Sequence, residues 1–304
     1  PSPIVLQHIF DAEAAWATNR GYAVYEEHVK QFPVHIRIHN LADRPETVEL
    51  VTGTLFRGNV TAGNFRSIAE LKPHGSADVA THLVDLVQWG CFPNLTLDWK
   101  RDVKVLDANR WPTGITREQF KRSTGLDDFP AYLKRDVGPD GKLQVYQNGD
   151  ITFALRGIHA KVRVRWNFEA PAGTKDTHSA LMRGTKANLV ILQGPEEQYK
   201  PVLYVENKSG APAQQFEGVL RSAVNKLCTT WPGLAVKPAG KRWEIVVPDQ
   251  YQTGHEAHFG EVTQKFLQYL EQKRLPDWEV PNMIAKYYTT SEAYRIAHAK
   301  QGRR

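Results

Sequence analysis

The chain has 304 residues, 41% of them hydrophobic and 24% charged, with a net charge of +6. That composition excludes a disordered or fibrous chain, and no run approaches the roughly 18 apolar residues a membrane span requires. Two cysteines, Cys91 and Cys228, exclude a disulfide framework and a four-cysteine zinc site. The positive charge is scattered, apart from the terminal Lys300-Gln-Gly-Arg-Arg304. Scattered charge reads as a solvated surface, so neither a nucleic-acid partner nor a membrane is expected. The sparse cysteines favour a reducing, cytoplasmic setting; the start carries no charged segment followed by an apolar one, but any targeting segment would precede residue 1, so the compartment stays open.

The first 75 residues are the least legible. A helical pattern runs over 8–21 with Gly21 as its stop, and 21–28 and 34–40 alternate like short strands. Residues 40–59 read as irregular. The segment 78–92 predicts a strong helix, with Asp78 as N-cap and Gly90 near its end. From 95 to 250 the pattern is that of an antiparallel sheet, with strands over 95–99, 104–108, 143–147, 150–155, 159–168, 187–194, 201–207 and 242–248. Asn148-Gly149 predicts a hairpin turn, because Asn-Gly supplies two residues with φ > 0. A short helix interrupts the sheet over 115–125. Residues 253–300 are helical, with a capping-box spacing at Thr253 and Glu256 and apolar positions at Phe259, Val262, Phe266 and Leu270. A last helix is expected over 282–299. The fold class is therefore α+β: a large open, mainly antiparallel sheet with helices packed on one face.

The sharpest chemical pattern lies on the helix at 78–92. At about 100° per residue, Asp78, His82, Asp85 and Trp89 form one stripe, while Leu83, Leu86 and Val87 lie away from it. An imidazole between two carboxylates can exchange a proton near neutral pH, and an indole in line offers a stacking surface for a ring. The bland alternative is a capping Asp78, a paired Asp85 and a core Trp89. On the strand 159–168, His159, Lys161, Arg163 and Arg165 point one way and apolar residues the other. This basic face could hold an anion or meet another subunit. Asp176-Thr177-His178 and Arg183 to Lys186 lie in a loop entering a strand, where polar site residues are often found. His255 and His258 are i, i+3, so the i, i+4 geometry of a zinc protease is not met, and no metal is expected. There is no G-x-G-x-x-G, P-loop or G-x-S-x-G.

The run Asp78-Val-Ala-Thr-His82-Leu-Val-Asp85-Leu-Val-Gln-Trp89 resembles the D-x-x-x-H helix of the glucose–fructose oxidoreductase, inositol dehydrogenase and rhizopine-catabolism (Gfo/Idh/MocA) family. Further stretches carry the same likeness: Ala108-Asn-Arg-Trp-Pro112, Gly157-Ile-His-Ala-Lys161, Trp166-Asn-Phe-Glu-Ala-Pro171, His178 to Asn188, Gly254-His-Glu-Ala-His-Phe259 and Trp278 to Thr290. The likeness is greatest to a branch of oxidoreductases with a characteristic C-terminal domain, and runs from about residue 75 to the end. It implies a substrate and oligomerisation domain over 76–304, with 1–75 as the remnant end of a nucleotide-binding domain otherwise missing. Residues 10–28 would be that domain's last helix and strand.

The resemblance implies hydride transfer to or from a sugar-like alcohol with NAD or NADP. His82 would be the general acid/base, with Asp78 orienting it. Asp85, Trp89, His159, Lys161, His178, Arg183 and Lys186 are the candidate substrate contacts. A homo-oligomer built through the sheet face is implied as well. The sequence departs from the family in lacking the Gly-rich fingerprint and the Glu-Lys-Pro motif; Leu71-Lys72-Pro73 is no convincing substitute. Two other readings stand beside this one: an NAD-dependent glycosidase of the same fold, and a non-enzymatic carbohydrate-binding or oligomerisation module.

Overall fold

A computed structural model of the chain describes residues 47–54, 75–92, 95–166, 173–251 and 255–301. The expectations for 8–40, for the Lys72-Pro73 region and for Thr253 fall outside these residues.

The strands are β1 (Thr47–Thr54), β2 (Val103–Ile115), β3 (Leu143–Leu155), β4 (Ile158–Trp166), β5 (Thr177–Arg183), β6 (Ala187–Gln193), β7 (Val202–Asn207), β8 (Ala235–Ala239) and β9 (Arg242–Val246). They form one sheet in the order β2-β3-β4-β1-β5-β6-β7-β9-β8. Two antiparallel groups, of three and five strands, flank β1, which runs parallel to β4 and antiparallel to β5. The helices are α1 (Gly75–Cys91), α2 (Trp99–Asp102), α3 (Arg117–Thr124), α4 (Ala213–Leu227), α5 (His255–Gln272) and α6 (Glu279–Gln301). The α+β reading is therefore correct.

The pleat explains where the core sits. On β4 the residues Ile158, Ala160, Val162, Val164 and Trp166 are buried, while His159, Lys161 and Arg163 are half-buried and Arg165 is exposed. That is the alternation expected of a sheet covered on one face. The covered face continues through Phe153 on β3, Ala180 and Met182 on β5, Leu189 and Ile191 on β6, Val205 on β7 and Trp243 on β9. Helix α1 lays Ala80, Leu83, Val84 and Val87 on it, and α4 adds Phe216, Leu220, Val224 and Leu227. A smaller core under α3 gathers Ile115, Phe120, Phe129, Leu133, Leu143, Val145 and Trp166, with the rings of Phe120 and Phe129 edge-on at 5.1 Å.

Several expectations need correction. Residues 95–99 are not a strand. The Asp98 side chain accepts from the Lys100 N–H at 2.9 Å and caps the one-turn helix α2, so a local bond outcompetes the alternation. The Leu97 N–H and Leu95 carbonyl are taken instead by the Asn282 amide of α6, at 2.8 and 3.0 Å. Asp78 is not the N-cap of α1. Gly75, Ser76 and Ala77 before it are already helical, with no proline among them to stop the helix.

The Asn148-Gly149 hairpin is absent too, because β3 runs straight through it. Asn148 is 2% exposed and spends its amide on backbone and hydroxyl partners. It donates to the Trp111 carbonyl (3.2 Å) and the Thr113 hydroxyl (2.9 Å), and accepts from the Trp166 N–H (2.7 Å). These bonds span the irregular register of β2 between Trp111 and Thr113, around Pro112, which has no N–H of its own. The actual β3–β4 turn is Arg156-Gly157, with φ of 48° and 87°. Arg156 is held there by its N–H bond to the Asp102 carbonyl at 2.8 Å. Gly157→Ala is expected to cost about 1–2 kcal/mol, since a Cβ at positive φ is strained. Urea unfolding checks this, and an unchanged midpoint would refute the turn assignment.

Four elements lay unforeseen in the pattern. Helix α4 was missed although Phe216, Leu220, Val224 and Leu227 follow helical spacing. Strands β1 and β8 were not expected, and β5 fills what read as a loop. Pro238 sits in β8, which is an edge strand where a missing N–H is tolerated.

Candidate active site on helix α1

The apolar face of α1 is the one the sequence indicates. The polar stripe divides. Asp78 falls in the first turn of α1. His82 is exposed. Asp85, one turn on, turns toward α6 and receives Lys286 Nζ at 3.3 Å, the two side chains being 16% and 19% exposed. Trp89 is only 7% exposed and presents little ring surface to a ligand. Gln88, oriented to satisfy both of its partners, donates to the Asn282 carbonyl and accepts from the Lys286 N–H, each at 3.1 Å. So α1 and α6 are joined by a half-buried ion pair and a buried amide beneath an exposed imidazole.

Burial raises the Asp85 carboxyl to about 6, against the opposing pull of Lys286, and the carboxylate of Glu279 adds to the rise. Burial alone pushes the Cys91 thiol at the end of α1 up to about 12, so it stays protonated and unreactive.

The remaining candidates separate by sheet face. His178 lies on the covered face with Ala180 and Met182; His159, Lys161 and Arg183 lie on the other face. Lys186 sits in the β5–β6 turn. One substrate cannot touch His82 and reach through the sheet to His159. His178 fits better. Through β1 it falls in the same cross-strand row as Val164. Ala80 of α1 shares a cleft with Val162 and Ile151, toward that end of β4. Burial lowers the His178 imidazole to about 4, so it is neutral at pH 7.

These two groups pull acid stability in opposite directions. Asp85 binds its proton more tightly in the folded protein, so between about pH 6 and 3.8 it stabilises the fold as pH falls. His178 binds its proton less tightly when folded, so between pH 6.5 and about 4 it destabilises as pH falls. Each is worth on the order of 3 kcal/mol at full extent. Relative to wild type, the urea midpoint is expected to fall less steeply from pH 6 to 4 in His178→Asn and more steeply in Asp85→Asn. Parallel curves for all three proteins would show that neither group carries the assigned shift.

Sequence reasoning missed Lys286, Glu279 and Gln88. Lys286 stands 201 positions from Asp85, and nothing local announces the pairing. Arg163, read as part of a basic face, is partly neutralised by Asp150 at 3.6 Å. Among the described residues no cluster of three or more His, Cys, Asp or Glu could hold a metal, and no helix is long and apolar enough to cross a membrane. Nor do those residues fit a dinucleotide. The parallel pair β1 and β4 is joined through α1, β2 and β3 rather than one crossover helix, and no Gly-rich turn follows a strand.

Residues 65–298 match the family model described as "Putative oxidoreductase C terminal domain". No curated protein matches the chain. The chain is similar to a solved "putative oxidoreductase" from Parabacteroides merdae ATCC 43184, at 40% identity and a TM-score of 0.78, over 98% of this chain and 66% of that one. Likeness to a "putative oxidoreductase" from Erwinia carotovora atroseptica SCRI1043 is at 10% identity and a TM-score of 0.48, over 98% and 62%. A 3-ketoreductase from Actinomadura kijaniata, solved with NADP and TDP-benzene, aligns at 12% identity and a TM-score of 0.40, over 83% and 54%. The chain thus spans less than two thirds of the length of the latter two and 66% of the first. From the family match over 65–298, the chain belongs to the oxidoreductase C-terminal domain family.

Proposed function

We propose that the chain supplies the substrate-binding and proton-transferring part of an NAD(P)-dependent oxidoreductase acting on a sugar or sugar-like alcohol. The observation that carries this reading is an exposed imidazole, His82, seated one helical turn from a half-buried carboxylate that is itself paired to Lys286. In this reading His82 takes the hydroxyl proton as the alcohol carbon becomes a carbonyl, and returns it in the reverse direction. Asp78, one turn before, orients the ring. His178, neutral at pH 7, accepts or donates a hydrogen bond to the substrate without adding charge. The nicotinamide cofactor supplies hydride exchange when bound, and the described residues contribute no cradle for it. His159, Lys161 and Arg183, on the opposite sheet face, are better placed to meet a second copy of the chain than this substrate.

The test is turnover. The full-length protein is given NAD+ or NADP+ with a panel of sugars and sugar alcohols, and reduced nicotinamide is followed by absorbance. Formation of reduced cofactor with at least one polyol supports the proposal. Glycosidic cleavage without net cofactor reduction would favour the glycosidase reading instead.

A further inference from the structure

An ion pair sunk between two helices is a poor way to hold them together. Two desolvated charges usually stabilise a fold no more than a well-packed apolar pair would. The Asp85–Lys286 pair is mostly buried in the α1–α6 groove, where Ala285, Ala293 and Ala297 of α6 already pack into the core. Its placement is informative: Asp85 is i+3 from His82, close enough on a helix for its charge to act on the ring. Lys286 is fixed from both ends. Its N–H is held by Gln88, and its ammonium lies 5.3 Å from the Tyr287 ring.

Building on the proton-transfer reading of His82, we propose that Lys286 is a positioning residue for the α1 site. It holds the Asp85 carboxylate fixed and ionised, and thereby sets the charge of the surface on which His82 stands. Among the described residues the charged groups acting on Asp85 are Lys286 and Glu279, both from α6, while His82 stands three residues before it on its own helix. Among the described residues Lys286 alone opposes the burial of the carboxylate and the repulsion from Glu279. Without it, Asp85 takes up a proton near neutral pH and the imidazole loses its anionic neighbour.

The experiment titrates Asp85 by its side-chain carboxyl carbon resonance in the full chain, in wild type, Lys286→Met and Lys286→Arg. The Met variant is expected to shift the midpoint upward by at least about one pH unit, and the Arg variant to restore it to within about 0.3 unit. A merely structural lysine would leave the midpoint in place once folding is confirmed by circular dichroism, and that result overturns the proposal. If Lys286→Met does not fold, Lys286→Gln, which keeps a donor without charge, is read the same way. In the active full-length protein the acid limb of the pH–rate profile should move with the midpoint in the Met variant and not in the Arg variant. The two readings fail separately. Loss of His82 dependence removes the proton-transfer reading and leaves the Asp85 midpoint where it was. An unmoved midpoint removes the role of Lys286 alone.

Discussion

If His82 carries the proposed proton transfer, His82→Ala is expected to lower turnover of the full-length protein by at least about 100-fold, roughly 2.7 kcal/mol of transition-state stabilisation. A positioned acid/base typically contributes that much or more, because without it the departing hydroxyl proton must be taken by water. The side chain is exposed on α1, so its removal leaves the apolar seat of Leu83, Val84 and Val87 intact. The thermal midpoint is therefore expected to change little, which separates a chemical loss from a folding loss. KM is expected to move less than kcat, since the proton transfer is made in the transition state rather than on binding. A rate within threefold of wild type would sink the assignment and turn attention to the binding-module reading.

The largest effect on stability is expected at Phe153. This ring is 1% exposed, lies near the C-terminal end of β3 beneath α1, and is paired across the sheet with Val105 and Ala160. Phe153→Ala leaves a cavity that the sheet below and the helix above cannot fully close, and is expected to cost about 3–5 kcal/mol. A typical domain has only about 5–15 kcal/mol in hand, so the urea midpoint should fall by a large fraction. Phe266→Ala is the matching control. That ring is 55% exposed on α5, and its loss is expected to cost less than about 0.5 kcal/mol. A loss below about 1.5 kcal/mol at Phe153 would mean that α1 does not press on β3 as described.

The legible parts of the fold were those where one period repeats without competition. The strand 158–166 alternates cleanly and is buried accordingly; α1 shows its apolar stripe at Leu83, Leu86 and Val87. Patterns failed where a side chain bonded to backbone. Asp98 turned an alternating run into a cap, and Asn148 kept a turn-forming dipeptide inside a strand. The site was legible only along one helix. His82 and Asp85 could be named from spacing, whereas Lys286 arrives from α6 by tertiary packing alone. The sidedness of His159 and His178 was open for a different reason. Each strand shows its own alternation, but which face the helices cover is decided by the register of β1 between β4 and β5.

That central strand has a consequence for folding and handling. β1 comes early in the chain, yet it pairs on one side with residues 159–166 and on the other with 177–182. Both pairings close long loops, so the two antiparallel groups can form first and wait for a late insertion. Until β1 enters, β4 and β5 each present an unpaired row of amides and carbonyls, the template on which chains add to one another. A shortened chain beginning at Gly75 would carry those two sticky borders permanently. It would be expected to precipitate or form strand-exchanged assemblies even though every described helix and both described cores were still encoded.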